Sequence, residues 1–333
     1  MEAWYYNKID DGKVLCSLCP HQCTISSGKS GICRVRTNRE GSLQADMYGL
    51  LSAMQFDPVE KKPLYHFHPG KEILSLGSLG CNFRCACCQN YEISQSGKAG
   101  FPRLQQLTVE DILKLALKKP DNLGVAYTYN EPFVWYEFMA DIAREIRAAG
   151  KKNVIVSNGY VSEKPLTDLL EFTDAFNIDI KAFSEQGYRK FAHATLKPVL
   201  SNLQIIVRAG KHLELTLLLV PEINDSDTEF LLMADWIKEN LGADIPLHLS
   251  RYFPRYKMNM PATSFVKLRE FAGIAKKKLS YVYIGNIPEG GYQDTFCPSC
   301  GSRIVSRLGY SVRIDSLNDS GNCVNCGQKI LKL

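Results

Sequence analysis

Residues 80–90 read Gly80-Cys-Asn-Phe-Arg-Cys-Ala-Cys-Cys-Gln-Asn90, which places Cys81, Cys85 and Cys88 in a C-x3-C-x2-C spacing. An apolar run, Ile73-Leu74-Ser75-Leu76, stands just before them and is bounded by glycine. A run of that kind reads as a buried strand, so the three thiols sit on the loop leaving its C-terminal end. An iron–sulfur cube ordinarily takes four cysteines, one per iron. Three closely spaced thiolates with no evident fourth protein ligand leave one iron open. An open position marks a catalytic metal site, whereas structural sites are closed. The bland alternative, a zinc knuckle, requires a second cysteine pair in register.

The loop resembles that of the radical S-adenosyl-L-methionine (SAM) superfamily. The resemblance implies that Cys81, Cys85 and Cys88 carry a 4Fe-4S cluster whose open iron chelates the amino and carboxylate groups of SAM. One electron then gives methionine and a 5′-deoxyadenosyl radical that abstracts hydrogen. The superfamily usually has an aromatic residue before the third cysteine. Cys87 stands there instead, leaving a second register in which Cys87 is a ligand.

The chain has 333 residues, 45% hydrophobic and 23% charged, the composition of a soluble globular protein. That length suits one large α/β barrel with small appendages, or two ordinary domains. No stretch has the apolar length to span a bilayer. The start, Met1-Glu2-Ala3-Trp4-Tyr5-Tyr6, lacks the build of a signal peptide, and a cytoplasmic location is expected. A net charge of +5, spread along the chain, is weak ground for a nucleic-acid partner. The twelve cysteines fall into three groups: Cys16, Cys19, Cys23, Cys33; Cys81, Cys85, Cys87, Cys88; and Cys297, Cys300, Cys323, Cys326. Disulfide frameworks suit short secreted chains, so metal binding is expected in all three places.

Three regions follow. Residues 1–71 form a turn-rich N-terminal four-cysteine region, where Cys16, Cys19, Cys23 and Cys33 fit zinc or an auxiliary iron–sulfur cluster. Their last part, Asp57 to Gly70, reads as an irregular polar-aromatic connector that either lines the active-site mouth or runs over the surface. Residues 72–288 alternate strand and helix patterns, the signature of parallel strands joined by helices. After the first strand come Gly124–Tyr129, Asn153–Ser157, Ala175–Ile180, Leu213–Val220 and Leu247–Ser250, with Tyr281–Ile284 as a candidate seventh. Helices are expected from Thr108 to Lys118, Pro132 to Ala149, Asp227 to Asn240 and Ser264 to Lys278. The fold class is α/β, a partial (βα)6-type TIM barrel with small N- and C-terminal four-cysteine metal-binding appendages. Residues 289–333 carry two CxxCG knuckles, Cys297/Cys300 and Cys323/Cys326, which read as a zinc ribbon; rubredoxin-type iron is the alternative at this geometry.

In a parallel barrel the active site lies at the C-terminal strand ends. Those ends carry the cysteine loop, then Asn130-Glu131-Pro132, Ser157-Asn158-Gly159, Asp179 with Lys181, Glu222 with Asn224, His248 with Arg251, and Asn286. If SAM sits on the cluster, Glu131 would accept hydrogen bonds from its ammonium. Ser157 and Asn158 offer polar groups to ribose hydroxyls. Lys181 would meet the SAM carboxylate, with Asp179 holding that lysine. His248 and Asn286 complete the cofactor-facing set, although a histidine within an apolar strand is more often a core residue. These positions resemble the pattern of pyruvate formate-lyase activating enzymes. There Gly-Gly-Glu corresponds to Tyr129-Asn130-Glu131, Thr-Asn-Gly to Ser157-Asn158-Gly159, and Asp-Leu-Lys to Asp179-Ile180-Lys181.

The whole chain resembles the radical SAM enzyme of the AmmeMemoRadiSam system, through Leu18–Cys23, Asp57–Phe67, Gly80–Cys85, Cys88–Asn90, Tyr127–Pro132 and the paired CxxCG tail. That implies association with Memo-type and AMMECR-type proteins. It also implies a low-potential electron donor such as ferredoxin or flavodoxin. The expected function is hydrogen abstraction from a protein, peptide or metabolite. An activase acting on a glycyl-radical enzyme, an RNA-modifying enzyme and a non-catalytic metal scaffold are the alternatives.

Overall fold

The computed structural model describes residues 1–331. At its centre is an eight-stranded sheet. β1 (Ala53–Pro58) runs antiparallel to β2 (Glu72–Gly77). Then β3 (Asn122–Tyr127), β4 (Lys152–Ser157), β5 (Ala175–Ile180), β6 (His212–Leu219), β7 (Leu247–Arg251) and β8 (Val282–Gly285) follow in parallel, in the same order in space as in sequence. β1 and β8 are the two edges and do not pair with each other, so the barrel is open. The parallel strands are apolar runs because side chains on both faces are covered. In β5 only Asp179 is less than fully buried.

The expected partial barrel is present, with two additions. The candidate seventh parallel strand is real and forms β8. The connector also does not begin as an irregular segment: Asp57 and Pro58 end β1, and Val59–Lys61 form a single 3-10 turn. Proline lacks the donor a central strand requires, but an edge strand tolerates it, which is why Pro58 hides β1 from a pattern reading. The helix expected from Pro132 begins instead with a 3-10 turn, Pro132–Trp135, before the α-helix Tyr136–Ala148. Glu131 caps this entry by accepting a hydrogen bond from the Phe133 N–H. Thr108 and Asp111 close a reciprocal capping box on helix Val109–Lys118, as their spacing predicts.

The N-terminal region is a small antiparallel sheet, Tyr6–Lys8, Val14–Cys16 and Thr24–Ile25, with a hairpin Arg36–Arg39/Ser42–Ala45. Its apolar residues, among them Val14, Leu18, Ile25 and Val35, belong to the same buried core as the barrel. One charged contact crosses that core. Arg36 Nη1 and Nη2 each donate to a Glu137 carboxylate oxygen at 2.9 Å, and both side chains are almost completely buried.

The tail folds as Thr295–Phe296, Arg303–Leu308 and Ser311–Ile314, antiparallel. It shares a core with the barrel: Ile304, Val305, Ile330 and Leu331 pack with Tyr65, Tyr281 and Tyr283. Arg307 is buried there. It donates to the carbonyls of Tyr65 and Gln293 and to Thr295 Oγ1, with its guanidinium 4.2 Å from the Tyr65 ring centre.

Removing one partner of a buried pair leaves an uncompensated charge, a loss of about 3–5 kcal/mol. Glu137→Gln is therefore expected to lower the denaturant midpoint by that equivalent. An unchanged midpoint would show that Arg36 finds other compensation.

Candidate active site

Residues 78–90 contain no strand and no helix, so the polar groups of the cysteine loop must be satisfied from outside it. Backbone contacts supply part of this, with Gly80 N–H on the Ile93 carbonyl and Arg84 N–H on that of Ala192, and asparagine side chains supply much of the rest. Asn130 Oδ1 accepts from the Ser78 N–H at 3.0 Å, and Asn130 Nδ2 donates to the Gly80 carbonyl at 2.9 Å. Asn158 Nδ2 donates to Asn82 Oδ1 at 2.8 Å and reaches Cys81 Sγ at 3.7 Å. Asn82 Nδ2 donates to the Tyr160 carbonyl, and Asn90 Nδ2 to that of Tyr129. His21 Nε2 lies 2.8 Å from the Asn82 carbonyl. Gly80 has φ +86°, and a Cβ there would stand 2.5 Å from the Cys33 carbonyl oxygen, so only glycine fits.

The loop opens onto a cavity of about 960 Å³. All ten residues that the sequence nominates around the cluster and SAM line it: Cys81, Cys85, Cys88, Glu131, Ser157, Asn158, Asp179, Lys181, His248 and Asn286. Convergence from the loop after β2, from the C-terminal ends of β3, β4, β5 and β8, and from within β7 is what the parallel topology provides.

Within this wall the polar groups are already organised. Glu131 accepts from the Asn158 N–H at 2.9 Å and from Ser157 Oγ at 2.8 Å. Burial pushes its pKa up to about 7, against the pull of those hydrogen bonds. Asp179 and Lys181 form an ion pair at 2.9 Å. Burial opposes the lysine's charge, but Asp179 overrides it and holds the amine protonated. His248 is buried and its Nε2 lies 2.6 Å from Glu214 Oε2, so it is a bonded core histidine as well as a wall residue. Asn286 is exposed and its amide donates to the Arg251 carbonyl.

Tyr129 has φ +71°. It takes the left-handed conformation that glycine adopts most readily, at a cost of roughly 1–2 kcal/mol. Its hydroxyl donates to Asp57 Oδ2 at 2.5 Å. Lys61 and Lys62 bind the same carboxylate at 2.8 and 2.6 Å, and burial drives the Lys62 pKa down to about 8. Together with Glu60 and Tyr65, these lysines place the connector on the cavity wall, which decides between the two readings of that segment.

Gln293, Gly309 and Tyr310 of the tail also line the cavity, and the sequence reading did not name them as site residues. The signal was weak, because a glycine–tyrosine hairpin tip far along the chain resembles any exposed turn. Glu214 was missed too. It accepts from the backbone N–H groups of Tyr65 and His66 and pairs with His212 and His248. Burial raises its pKa, but those two histidines outweigh burial and hold it well below the usual carboxylate range.

The tail's four cysteines are drawn together. The ligand atoms of Cys297, Cys300, Cys323 and Cys326 all lie within 4.8 Å of one another, with Cys297 and Cys326 sulfurs 3.4 Å apart and those of Cys300 and Cys323 3.7 Å apart. A single tetrahedral ion with metal–sulfur bonds of about 2.3 Å fits such a set. Among the described residues, no three thiols of either other group lie that close together. Thiolates are the donors an iron–sulfur cluster takes, so Cys81, Cys85 and Cys88 fit a cluster by their chemistry, with Glu131, Asp179 and Lys181 lining the same cavity. Cys87 lines the same cavity but packs against Phe191, Val220 and Tyr252.

Residues 76–234 match the family description "Radical SAM superfamily". The chain is 40% identical over 332 residues to the "Uncharacterized protein MJ0808" of Methanocaldococcus jannaschii, covering 99% of this chain and 98% of that one. It is 24% identical to the pyruvate formate-lyase-activating enzyme of Clostridium pasteurianum, over 60% of this chain and 83% of that one. A radical SAM methyltransferase from Sphaerobacter thermophilus shares the fold, with a TM-score of 0.51 at 13% identity over 66% of this chain and 67% of the other. Among the described residues, no helix is long and apolar enough to cross a membrane.

Two outcomes are expected. Replacing exposed Cys300 and Cys326 by serine should remove one metal ion per chain, read by elemental analysis; an unchanged metal count would separate the tail from metal binding. A carboxyl whose folded pKa is raised binds its proton more tightly in the folded state. The stability it contributes is present below about 4.5 and lost as pH rises through about 7. In metal-free protein, Glu131→Gln should therefore flatten the fall in melting temperature across that window, and parallel curves for the two proteins would remove Glu131 as its source.

Proposed function

The chain belongs to the radical SAM superfamily, and on that premise we propose that it is an enzyme that removes a hydrogen atom from a protein, peptide or metabolite. When bound at the cysteine loop, a 4Fe-4S cluster supplies one electron to SAM, which parts into methionine and a 5′-deoxyadenosyl radical. Cys81, Cys85 and Cys88 hold the cluster. Glu131 accepts from the SAM ammonium. Ser157 and Asn158 bind ribose hydroxyls, and Lys181, steadied by Asp179, meets the carboxylate. His248 and Asn286 form the far wall. The observation that carries this reading is the convergence of all ten residues on one cavity beside the three thiols.

A second reading, activation of a glycyl-radical enzyme, draws support from the similarity to the Clostridium pasteurianum activating enzyme. Modification of another substrate is preferred because the cavity wall includes the tail's Gln293 and Tyr310 and the connector's Lys61 and Lys62, which give the site a polar mouth built from outside the parallel strands. A low-potential ferredoxin or flavodoxin serves as electron donor in either case. The AmmeMemoRadiSam resemblance adds Memo-type and AMMECR-type proteins as partners and the cell interior as location. Zinc is the ion proposed for the tail, since four cysteines close its coordination shell.

Anaerobically reconstituted protein, reduced with dithionite, should form 5′-deoxyadenosine from SAM. The Cys81→Ala/Cys85→Ala/Cys88→Ala variant should fall to the level of an enzyme-free control. Equal deoxyadenosine from both proteins would sink the proposal.

A further inference from the structure

The end of β7 and the loop after it read Arg251-Tyr-Phe-Pro-Arg-Tyr-Lys-Met-Asn-Met260, with three positive charges and no acid. Phe253, Arg255, Tyr256 and Lys257 are exposed. Tyr256 is held at φ +60°, a conformation unfavourable for a residue with a Cβ, and its ring stacks on that of Tyr91 with centres 4.6 Å apart and planes 14° apart. The Arg255 guanidinium lies 5.7 Å from the Tyr91 ring centre, and the Lys257 ammonium 5.1 Å from that of Tyr256. Both are within cation–π reach. Two rings and two cations therefore form one stack on the surface. Among the described residues, neither Arg255 nor Lys257 pairs with a carboxylate, whereas Lys61, Lys62 and Lys181 of the cavity wall all do.

The stack bears directly on the cysteine loop. The Lys257 N–H donates to the Ala86 carbonyl at 3.0 Å, between Cys85 and Cys87. Beneath it, Tyr252, Met258 and Met260 pack in one cluster with those same two cysteines. Tyr91 opens the short helix that follows Asn90, so the stack touches the chain on both sides of Cys88. The cysteine loop adds exposed Arg84 to the positive charge, and the first acid after it is Glu92. Among the described residues of the cavity wall, none comes from 251–260. A partner seated on the stack thus approaches the thiols from outside the cavity.

Aromatic side chains, methionine and arginine are the residues that interfaces favour, and unpaired surface charge steers a partner of opposite sign. SAM cleavage consumes one electron per event, and that electron must arrive while the cavity holds SAM and substrate. From the uncompensated cations, the exposed stack and its bond to Ala86, we propose that 251–260 with Tyr91 form the docking surface for an acidic one-electron carrier protein. This rests on the function proposed above. The reduced carrier, of the flavin or iron–sulfur class, gives up one electron, and the cluster held by Cys81, Cys85 and Cys88 gains it. No proton moves, and no bond forms or breaks in that transfer.

The test reads the dissociation constant of the reconstituted holoenzyme for an oxidised acidic flavodoxin and an oxidised acidic ferredoxin, by calorimetry and without turnover. Wild type is compared with Arg255→Glu/Lys257→Glu and with Lys276→Glu/Lys277→Glu. The last makes the same charge change at the end of helix Phe265–Lys276, which leads into β8 and so lies at the opposite end of the strands. All four side chains are exposed, and the main-chain bond from Lys257 to Ala86 needs no side chain. Arg255→Glu/Lys257→Glu is expected to bind the carrier at least about tenfold more weakly. Wild-type binding should weaken as salt rises, and the Lys276/Lys277 variant should stay close to wild type. Iron content, melting temperature and deoxyadenosine formed with dithionite should match in all three proteins. The rate driven by photoreduced flavodoxin below saturation should fall in the stack variant alone. If that variant loses iron or melts early, Arg255→Gln/Lys257→Gln removes the charge without reversing it and takes its place.

Equal dissociation constants in wild type and the stack variant overturn the inference, as does a wild type that binds neither carrier. An equal loss in the Lys276/Lys277 variant overturns it too, by assigning the effect to net charge. Transfer RNA bound by wild type and lost by the stack variant, with no carrier bound, would give the surface to nucleic acid instead. Carrier binding that depends on Arg255 and Lys257, beside a wild type that forms no deoxyadenosine with dithionite, would fail the function proposed above and leave the docking surface in place.

Discussion

Everything in this structure turns on holding an irregular, cysteine-bearing loop still without a ladder of its own. The backbone from Ser78 to Asn90 leaves β2 and must find partners elsewhere. It does so through the side chains of Asn130 and His21 and the backbone of Ile93, Ala192 and Lys257, while Asn158 holds the Asn82 side chain. Asparagine suits the task because one side chain presents both a donor and an acceptor. Asn130 uses both at once, on Ser78 and Gly80. These same residues stand beside Glu131 and Ser157, so the scaffold of the loop and the floor of the cavity are a single construction.

Much of this was legible in the sequence. Strand ends carrying Glu131, Ser157-Asn158 and Asp179-Lys181 are meaningful only if the strands are parallel and adjacent, and both conditions follow from the alternation of strand and helix patterns. β1 escaped because Pro58 breaks the pattern at a position where an edge strand tolerates it. The 3-10 turn at Pro132 escaped because a cap and a helix start leave the same trace in the sequence. The roles of Glu214 and Tyr310 were invisible for another reason. Each depends on a contact between segments tens to hundreds of residues apart, and no local periodicity encodes such a meeting.

Charge is distributed through the interior in bonded sets rather than as isolated ions. Arg36 with Glu137, Asp57 with two lysines and a tyrosine, Asp179 with Lys181, and Glu214 with two histidines are the four principal ones. Burying a charge is tolerable when such partners are in place. Three of the four sets reach the cavity: Lys61 and Lys62, Asp179 and Lys181, and His248 all form part of its wall. The polar interior thus fixes the geometry of the site while it stabilises the barrel.

Arg307 gives the tail a consequence beyond its own fold. Its guanidinium holds the carbonyl of Tyr65 and lies over that residue's ring, while Tyr65 faces the cavity and its N–H binds Glu214. The strand that carries Arg307 begins at Arg303, three residues after Cys300. The tail's cysteine quartet, a set close enough to share one ion, is thereby coupled through Arg307 and Tyr65 to the wall of the cavity. Loosening one end of the polypeptide would therefore be felt in a room built by its middle.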